Sequence, residues 1–207
     1  MTPTGGAILV VCALRAELRG FTAPSGVDVL ASGVGPVEAA AETARALASG
    51  RYRAAINAGI AGAFRGRARV GEAVLVAEER MAGLGLEGGT RMALPGGATL
   101  VDRAFADDDL LAAAGGVALR TVCGVTVTTV TATDETALRL AREYDGDVES
   151  MEGFAVLRAC ERAGVPALEI RGISNYVGER SRSEWDFPAG AKACGDALAA
   201  VLATLRR

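Results

Sequence analysis

The chain has 207 residues, half of them hydrophobic, and a formal net charge of −3. This length suits one domain with a sizeable core, and the composition is that of a globular protein. There is no long basic run and no apolar run of membrane-spanning length, which argues against a nucleic-acid partner and a membrane partner. The polar start lacks the charged and apolar blocks of a signal peptide, which favours the cytoplasm.

The sequence contains no histidine. This excludes a Ser-His-Asp triad, a Cys-His pair and a histidine-ligated metal. The four cysteines lie far apart and form no C-x-x-C pair, so we expect reduced thiols. Acid–base chemistry must then use carboxylates, amides, hydroxyls or water, and we expect no metal and no cofactor.

Strands and a helix alternate along the first part of the chain. The predicted elements are strands Ala7–Val11, Val27–Ser32, Arg53–Asn57 and Gly71–Ala77, and a helix from Pro36 to Gly50. Glycine-rich turns, Ser32–Pro36 and Asn57–Gly62, follow the second and third strands. Glycine lets backbone N–H groups approach a phosphate or a sugar hydroxyl, although simple turn chemistry explains either segment as well.

The second part of the chain continues the alternation after a glycine-rich loop, Met81–Thr99. The predicted elements are helices Asp107–Ala114, Thr133–Arg142, Glu152–Ala163 and Pro188–Leu205, a β-rich run Val117–Val130 and a strand Ala167–Ile173. This order predicts one α/β domain over residues 1–207, with a central mixed, mostly parallel sheet flanked by helices. In such folds the ligand binds at the carboxyl ends of the strands.

Four residues are candidates for chemistry, and each has a purely structural explanation beside the functional one. Glu17 and Glu152 stand near helix starts, where a carboxylate is also favoured by the helix dipole. Asn175 ends an apolar strand, which is a frequent place for a turn residue and for enzyme chemistry. Trp185, the sole tryptophan, lies in a polar stretch and could cover a flat ligand or anchor a helix.

Two motifs occur together at a characteristic spacing, Met151-Glu152-Gly153 and Arg171-Gly172-Ile173-Ser174-Asn175. With Ala13–Glu17, Ser32–Val37 and Asn57–Gly62, they resemble the purine nucleoside phosphorylase and nucleosidase superfamily. The resemblance runs from Ile8 to the last helix and implies a nucleoside phosphorylase-like fold. The string from Arg171 to Arg180, leading to Trp185-Asp186, resembles the futalosine hydrolase family, whose members remove hypoxanthine from futalosine in an alternative menaquinone pathway.

The resemblance implies roles for the matching positions. Glu17 would activate the attacking water, Glu152 would hold the ribose 2′- and 3′-hydroxyls, and Asn175 would bind the purine at N7. The other substrate-binding positions that it implies are Val34, Ile60, Ala61, Gly62, Thr131, Ala132, Thr133, Ser150, Met151, Ser174 and Trp185. Relatives usually form dimers, so we expect a homodimer or higher homo-oligomer in which the segment Met81–Thr99 completes a partner's pocket.

Futalosine carries a benzoate on its 5′ side, and the carboxylate of that group needs a cationic or donor partner. Arg180 and Arg182 are candidates, although arginines in such a stretch are more often exposed surface charges.

The implied reaction is consistent with this composition. Cleavage of an N-glycosidic bond passes through an oxocarbenium-like state, which one carboxylate can stabilise while another deprotonates water. In methylthioadenosine nucleosidases an aspartate matches Asn175. An amide NH₂ group can donate to both N7 and O6 of a 6-oxopurine, so Asn175 favours hypoxanthine or guanine over adenine.

More than one function is compatible with these residues. Ile60 stands where many relatives use a serine to bind phosphate, and Glu17 would repel phosphate, which favours water as the nucleophile. Arg15 and Arg65 keep a phosphate-dependent phosphorylase open. A methylthioadenosine/S-adenosylhomocysteine-type nucleosidase, a non-catalytic nucleoside-binding module and a plain structural α/β domain also stay open.

Overall fold

The computed structural model describes residues 6–86, 94–179 and 185–206. The strands are β1 (Ala7–Cys12), β2 (Val27–Ala31), β3 (Tyr52–Ala63), β4 (Ala73–Met81), β5 (Arg103–Phe105), β6 (Arg120–Thr126), β7 (Val148–Ser150) and β8 (Ala167–Tyr176). The α-helices are α1 (Pro36–Leu47), α2 (Asp108–Ala114), α3 (Asp134–Glu143), α4 (Gly153–Ala163) and α5 (Phe187–Leu205). Short 3-10 helices are formed by Arg15–Leu18 and Pro95–Gly97.

The eight strands of the described residues form one mixed sheet. β2, β1 and β3 run parallel, and β3 also runs parallel to β8. β8 pairs with β4, β4 with β6, β6 with β7, and β7 returns to β3. Five strands therefore close into a ring, and β1 and β2 extend from it as an open wing. Because most of these pairings are parallel, the predicted mixed, mostly parallel sheet is confirmed.

Helices cover both faces of the open wing and of the adjoining strands. Successive residues of β1 point to opposite faces, so Val10 packs towards α2 and α5 while Val11 packs towards α1 and α4. A strand buried on both faces has no polar side, which is why β1 reads as a continuous apolar run. Burial of one such side chain stabilises the fold by about 2 kcal/mol.

The prediction of a glycine-rich turn at Asn57–Gly62 was wrong. These residues continue β3, which pairs with β8 along this whole stretch, whereas its pairing with β1 ends at Asn57. The glycines here provide space rather than a turn. A Cβ atom at Gly59 would lie 2.3 Å from Glu17 Oε2, and one at Gly62 would lie 2.8 Å from Val177 Cγ2.

Smaller differences concern element ends. Of the β-rich run Val117–Val130, the strand β6 occupies only Arg120–Thr126. The three-residue strands β5 and β7 were not predicted. Asn175 lies inside β8 rather than after it. In the described residues, no helix combines the length and the apolar character that a membrane span requires.

Candidate active site

The centre of the site is a pair of buried glutamates brought together from distant parts of the chain. Glu17 lies in the 3-10 helix after β1 and is 6% exposed, and Glu152 immediately precedes α4 and is 5% exposed. The burial of both side chains goes beyond the purely structural explanation, in which a helix dipole alone favours each carboxylate. The backbone N–H of Ile60 donates to Glu17 Oε2 at 3.3 Å, which fixes this carboxylate against the middle of β3.

Glu152 occupies the N-cap position of α4 but does not cap the helix with its side chain. Its Oε1 instead accepts a hydrogen bond from the N–H of Gly35 at 2.9 Å. Gly35 has a φ of 95°, a left-handed conformation that glycine adopts readily. The glycine turn before α1 thus supplies a backbone donor, as expected, but that donor binds a carboxylate of the protein. The first turn of α4 uses Ser150 Oγ and Thr126 Oγ1 as acceptors for the N–H groups of Gly153 and Phe154.

Arg171 connects the two glutamates, and sequence reasoning missed it as a site residue. Its guanidinium is buried, with Nη1 at 3.8 Å from Glu152 Oε2 and at 3.3 Å from the carbonyl oxygen of Ile60. Ile60 therefore binds Glu17 through its N–H and Arg171 through its carbonyl group. A Cβ atom at Gly59 would also lie 2.8 Å from Arg171 Nη1, so the absent side chain leaves room for both groups.

The electrostatics of the pair suit proton transfer near neutral pH. Burial raises the pKa of Glu17 to about 7, while the charge of Arg171 opposes this shift and that of Glu152 adds to it. Burial works against the charge of Arg171, but the carboxylates around it outweigh this effect and raise its pKa. Arg171 therefore stays cationic, whereas Glu17 can accept and release a proton.

Asn175 is held in one orientation by its neighbours. Ser174 Oγ donates to Asn175 Oδ1 at 2.8 Å, and Asn175 Nδ2 donates to the carbonyl oxygen of Tyr176 at 3.2 Å. The amide oxygen is thereby occupied, and one N–H of Nδ2 remains for a further acceptor. Trp185 lies close to this group, because the N–H of Asp186 donates to the carbonyl oxygen of Ser174 at 2.8 Å.

The other predicted positions divide into buried, half-buried and exposed groups. Ala61, Gly62, Thr131 and Ser150 are buried, Ile60 and Met151 are half-buried, and Val34, Ala132, Thr133 and Trp185 are exposed. Thr131 is tied to β7, since its N–H and hydroxyl donate to the two oxygens of Glu149 at 3.1 and 2.5 Å. Thr133 is the N-cap of α3. Arg180 and Arg182 lie outside the described residues.

Neither arginine that kept phosphate binding open joins the glutamate pair. The guanidinium of Arg15 donates to the carbonyl oxygen of Val29 at 2.7 Å, in an exposed position. Arg65 stacks over the ring of Tyr176, at the rim of a surface depression that contains neither Glu17 nor Glu152.

Comparison with known proteins places this arrangement in a family. A model of the phosphorylase superfamily matches residues 23–207. Futalosine hydrolase of Thermus thermophilus is 37% identical over 185 residues, which cover 86% of this chain and 82% of that protein. Futalosine hydrolase of Streptomyces coelicolor is also 37% identical, over 86% of this chain and 76% of that protein.

The chain belongs to the futalosine hydrolase family of the phosphorylase superfamily.

Solved structures show the same fold. Futalosine hydrolase of Helicobacter pylori superimposes with a TM-score of 0.81 at 17% identity, over 96% of this chain and 97% of that one. A methylthioadenosine/S-adenosylhomocysteine nucleosidase from Colwellia psychrerythraea, solved with adenine, gives 0.81 at 22% identity, over 98% and 96%. The nucleoside phosphorylase-like fold expected from the sequence is confirmed.

Proposed function

We propose that this protein hydrolyses the N-glycosidic bond of futalosine and releases hypoxanthine. The observation that carries the proposal is the buried pair Glu17 and Glu152, which share Arg171 in a chain that is 37% identical to futalosine hydrolases. Two carboxylates of this kind are what cleavage through an oxocarbenium-like state requires.

The burial and the contacts of the two glutamates support the following roles. Glu152 binds the ribose 2′- and 3′-hydroxyls and stabilises the positive charge that develops on the sugar, with Met151 against the ring. Glu17 takes a proton from water, whose oxygen then bonds to the anomeric carbon. The bond between that carbon and the purine nitrogen breaks, its electron pair leaves with the base, and the proton that Glu17 took from water is returned through solvent to complete the free purine.

Recognition of the base is assigned to Asn175 and the segments beside it. The free N–H of Asn175 Nδ2 faces an acceptor of the base, and Ser174 keeps the amide oxygen turned away from it. Because one N–H of Asn175 donates to Tyr176, the remaining N–H can bind N7 of any purine but cannot also bind O6. The two-donor expectation is therefore wrong, and the proposed preference for hypoxanthine rests on the similarity to futalosine hydrolases. Val34, Ile60, Ala61, Gly62, Thr131, Ala132, Thr133 and Ser150 line the remaining pocket, and Trp185 closes over it.

We further propose a homodimer in the cytoplasm, serving menaquinone synthesis by the futalosine route. The chain around the β4–β5 connection exposes apolar side chains that a partner subunit would cover, namely Leu84, Leu86, Val101 and Phe105. The four cysteines are free, which suits a reducing compartment. Sedimentation at several protein concentrations tests the dimer, and a single monomeric species would contradict it.

The activity itself is tested by purine release from futalosine, inosine and methylthioadenosine, each with and without phosphate. We expect hypoxanthine from futalosine in the absence of phosphate. A strict phosphate requirement would identify a phosphorylase, and preferential release of adenine would identify a methylthioadenosine nucleosidase. Binding of futalosine without turnover would leave only a nucleoside-binding module.

A further inference from the structure

A second pair of glutamates lies behind Arg171, deeper in the ring of strands. Glu79 on β4 and Glu169 on β8 are both fully buried. Two glycines leave the space that Glu79 occupies, because a Cβ atom at Gly124 or Gly153 would lie 2.1 or 2.2 Å from Glu79 Oε1. Glycine at these two positions thus makes room for the buried acidic side chain of Glu79, which a purely apolar core would not require.

The hydrogen bonds of this pair leave one oxygen on each carboxyl group without a donor. Thr126 Oγ1 donates to Glu79 Oε2 at 2.7 Å, and Arg171 Nε donates to Glu169 Oε1 at 2.7 Å. The hydroxyl of Thr126 also accepts from the N–H of Phe154, so its own proton is directed to Glu79. Glu79 Oε1 and Glu169 Oε2 are left without a partner among the described protein atoms.

One proton would give Glu79 Oε1 a hydrogen-bond partner on Glu169. A Cβ atom at Gly153 would lie 2.2 Å from Glu79 Oε1 and 2.7 Å from Glu169 Oε1, so the two carboxyl groups approach each other there, and two carboxyl oxygens can form a hydrogen bond only when one of them is protonated. Two ionised carboxylates side by side in a fully buried position would repel each other strongly. Burial, and then the charge of Glu169, raise the pKa of Glu79 well above its usual value.

We propose that Glu79 and Glu169 share one proton, carried by Glu79, and that the ionised Glu169 is a positioning residue for Arg171. The Glu79–Glu169 pair then carries a single negative charge, which Arg171 balances. The effect of Glu169 on catalysis rests on the proposed function, because Glu169 acts through Arg171 on Glu17. The shared proton does not rest on that function.

The effect reaches Glu17 through the charge of Arg171. The titratable and charged groups around Glu17 are Cys12 on β1, Arg15 in its own 3-10 helix, Arg171 on β8, Glu152 before α4 and Cys194 on α5. Arg171 is the strongest of these in holding Glu17 ionised. If Glu169 loses its charge, less of the positive charge of Arg171 is neutralised. The ionised form of Glu17 is then stabilised more strongly, and the pKa of Glu17 falls.

Two matched replacements give opposite expectations. In Glu169→Gln the acid limb of the kcat/KM profile moves to lower pH by about one unit, and kcat falls about tenfold because Arg171 loses its anchor. Glu79→Gln imitates the protonated partner, so the acid limb stays in place and kcat changes less than about threefold. Equal shifts in both variants, or a shift confined to Glu79→Gln, would overturn the assignment.

Infrared spectroscopy of the unliganded protein tests the proton without any activity. At about pH 8 ordinary glutamates are ionised, so a carboxylic-acid C=O band that disappears in Glu79→Gln would support the shared proton. Absence of this band from the wild-type protein would refute the shared proton. This test does not depend on Glu169→Gln and can be made even if that variant does not fold. If the wild type fails to cleave futalosine yet shows the band, the proposed function is wrong and the shared proton stands.

Discussion

The two ends of the candidate site are built differently. At the ribose end, Glu17 and Glu152 are almost fully buried and are held by backbone N–H groups of β3 and of the turn before α1. At the base end, Asn175 is held by its own neighbours in sequence, and Trp185 is 42% exposed. The sheet thus fixes the groups that we propose to react, while short-range contacts hold the residues that we propose to recognise the base. Substitutions at the first end should change rate, and those at the second should change substrate choice.

The largest effect is expected from Glu17→Gln. The amide cannot accept the proton of the attacking water, so kcat for futalosine should fall roughly 1,000-fold while KM changes little. Steady-state kinetics with hypoxanthine detection measures this, and Glu161→Gln on the exposed face of α4 is the control. Wild-type turnover in Glu17→Gln would refute the assignment of the base.

The same replacement should stabilise the protein at neutral and higher pH. Folding raises the pKa of Glu17 from 4.5 to about 7, so the folded form retains a proton that the unfolded form has already lost. Stability therefore falls as pH rises between these values, by about 3 kcal/mol in total. Denaturant unfolding of Glu17→Gln at about pH 8 should recover much of this loss.

Glu152→Gln should have the next largest effect on rate. The variant keeps the acceptor for Gly35 N–H but loses the charge opposite the developing cation, so kcat should fall roughly 100-fold. If KM alone increased, Glu152 would bind the ribose equally in the ground state and the transition state, and its proposed catalytic part would be wrong.

At the base end, Asn175→Asp should change selectivity more than stability. The carboxylate replaces the donor group but still accepts from Ser174, so the ratio of kcat/KM for futalosine over an adenine nucleoside should fall roughly 30-fold. Competition between the two substrates in one reaction measures the ratio. An unchanged ratio would show that Asn175 does not read the purine.

The smallest effect is that of pH on the wild type. Because Glu17 must be ionised and its pKa is about 7, kcat/KM should fall about tenfold for each unit below that value. Glu152→Gln removes a negative charge near Glu17 and should move this limb to lower pH, since the charge of Glu152 raises the pKa of Glu17. If the limb does not move, the charge of Glu152 does not influence the pKa of Glu17.

The order of the strands and helices could be predicted because apolar residues recur at helical spacing or in short buried runs along this sequence. The exceptions have physical causes. Gly59 and Gly62 look like turn residues, yet they lie in β3 where side chains from other elements approach the backbone. The three-residue strands β5 and β7 are too short to show a period.

The candidate site was predictable only where the motifs marked it. Sequence reasoning missed the buried cluster around Arg171, because charged residues are usually assigned to the surface. A signal was present in Ala167-Leu168-Glu169-Ile170-Arg171, where two charges alternate with apolar residues in a strand and so point to one face. The other members of the cluster, Glu79 and its hydrogen-bond donor Thr126, come from other strands and could be found only in three dimensions.

The contact between Gly35 and Glu152 also bears on how the chain folds. It joins residues 117 positions apart, and the contact between Glu17 and Ile60 joins residues 43 apart. Contacts that close such long loops form late and slow the folding of a domain. On dilution from denaturant, helical circular dichroism should therefore recover before enzymatic turnover, and the lag between them would time the docking of the Gly35 turn onto the start of α4.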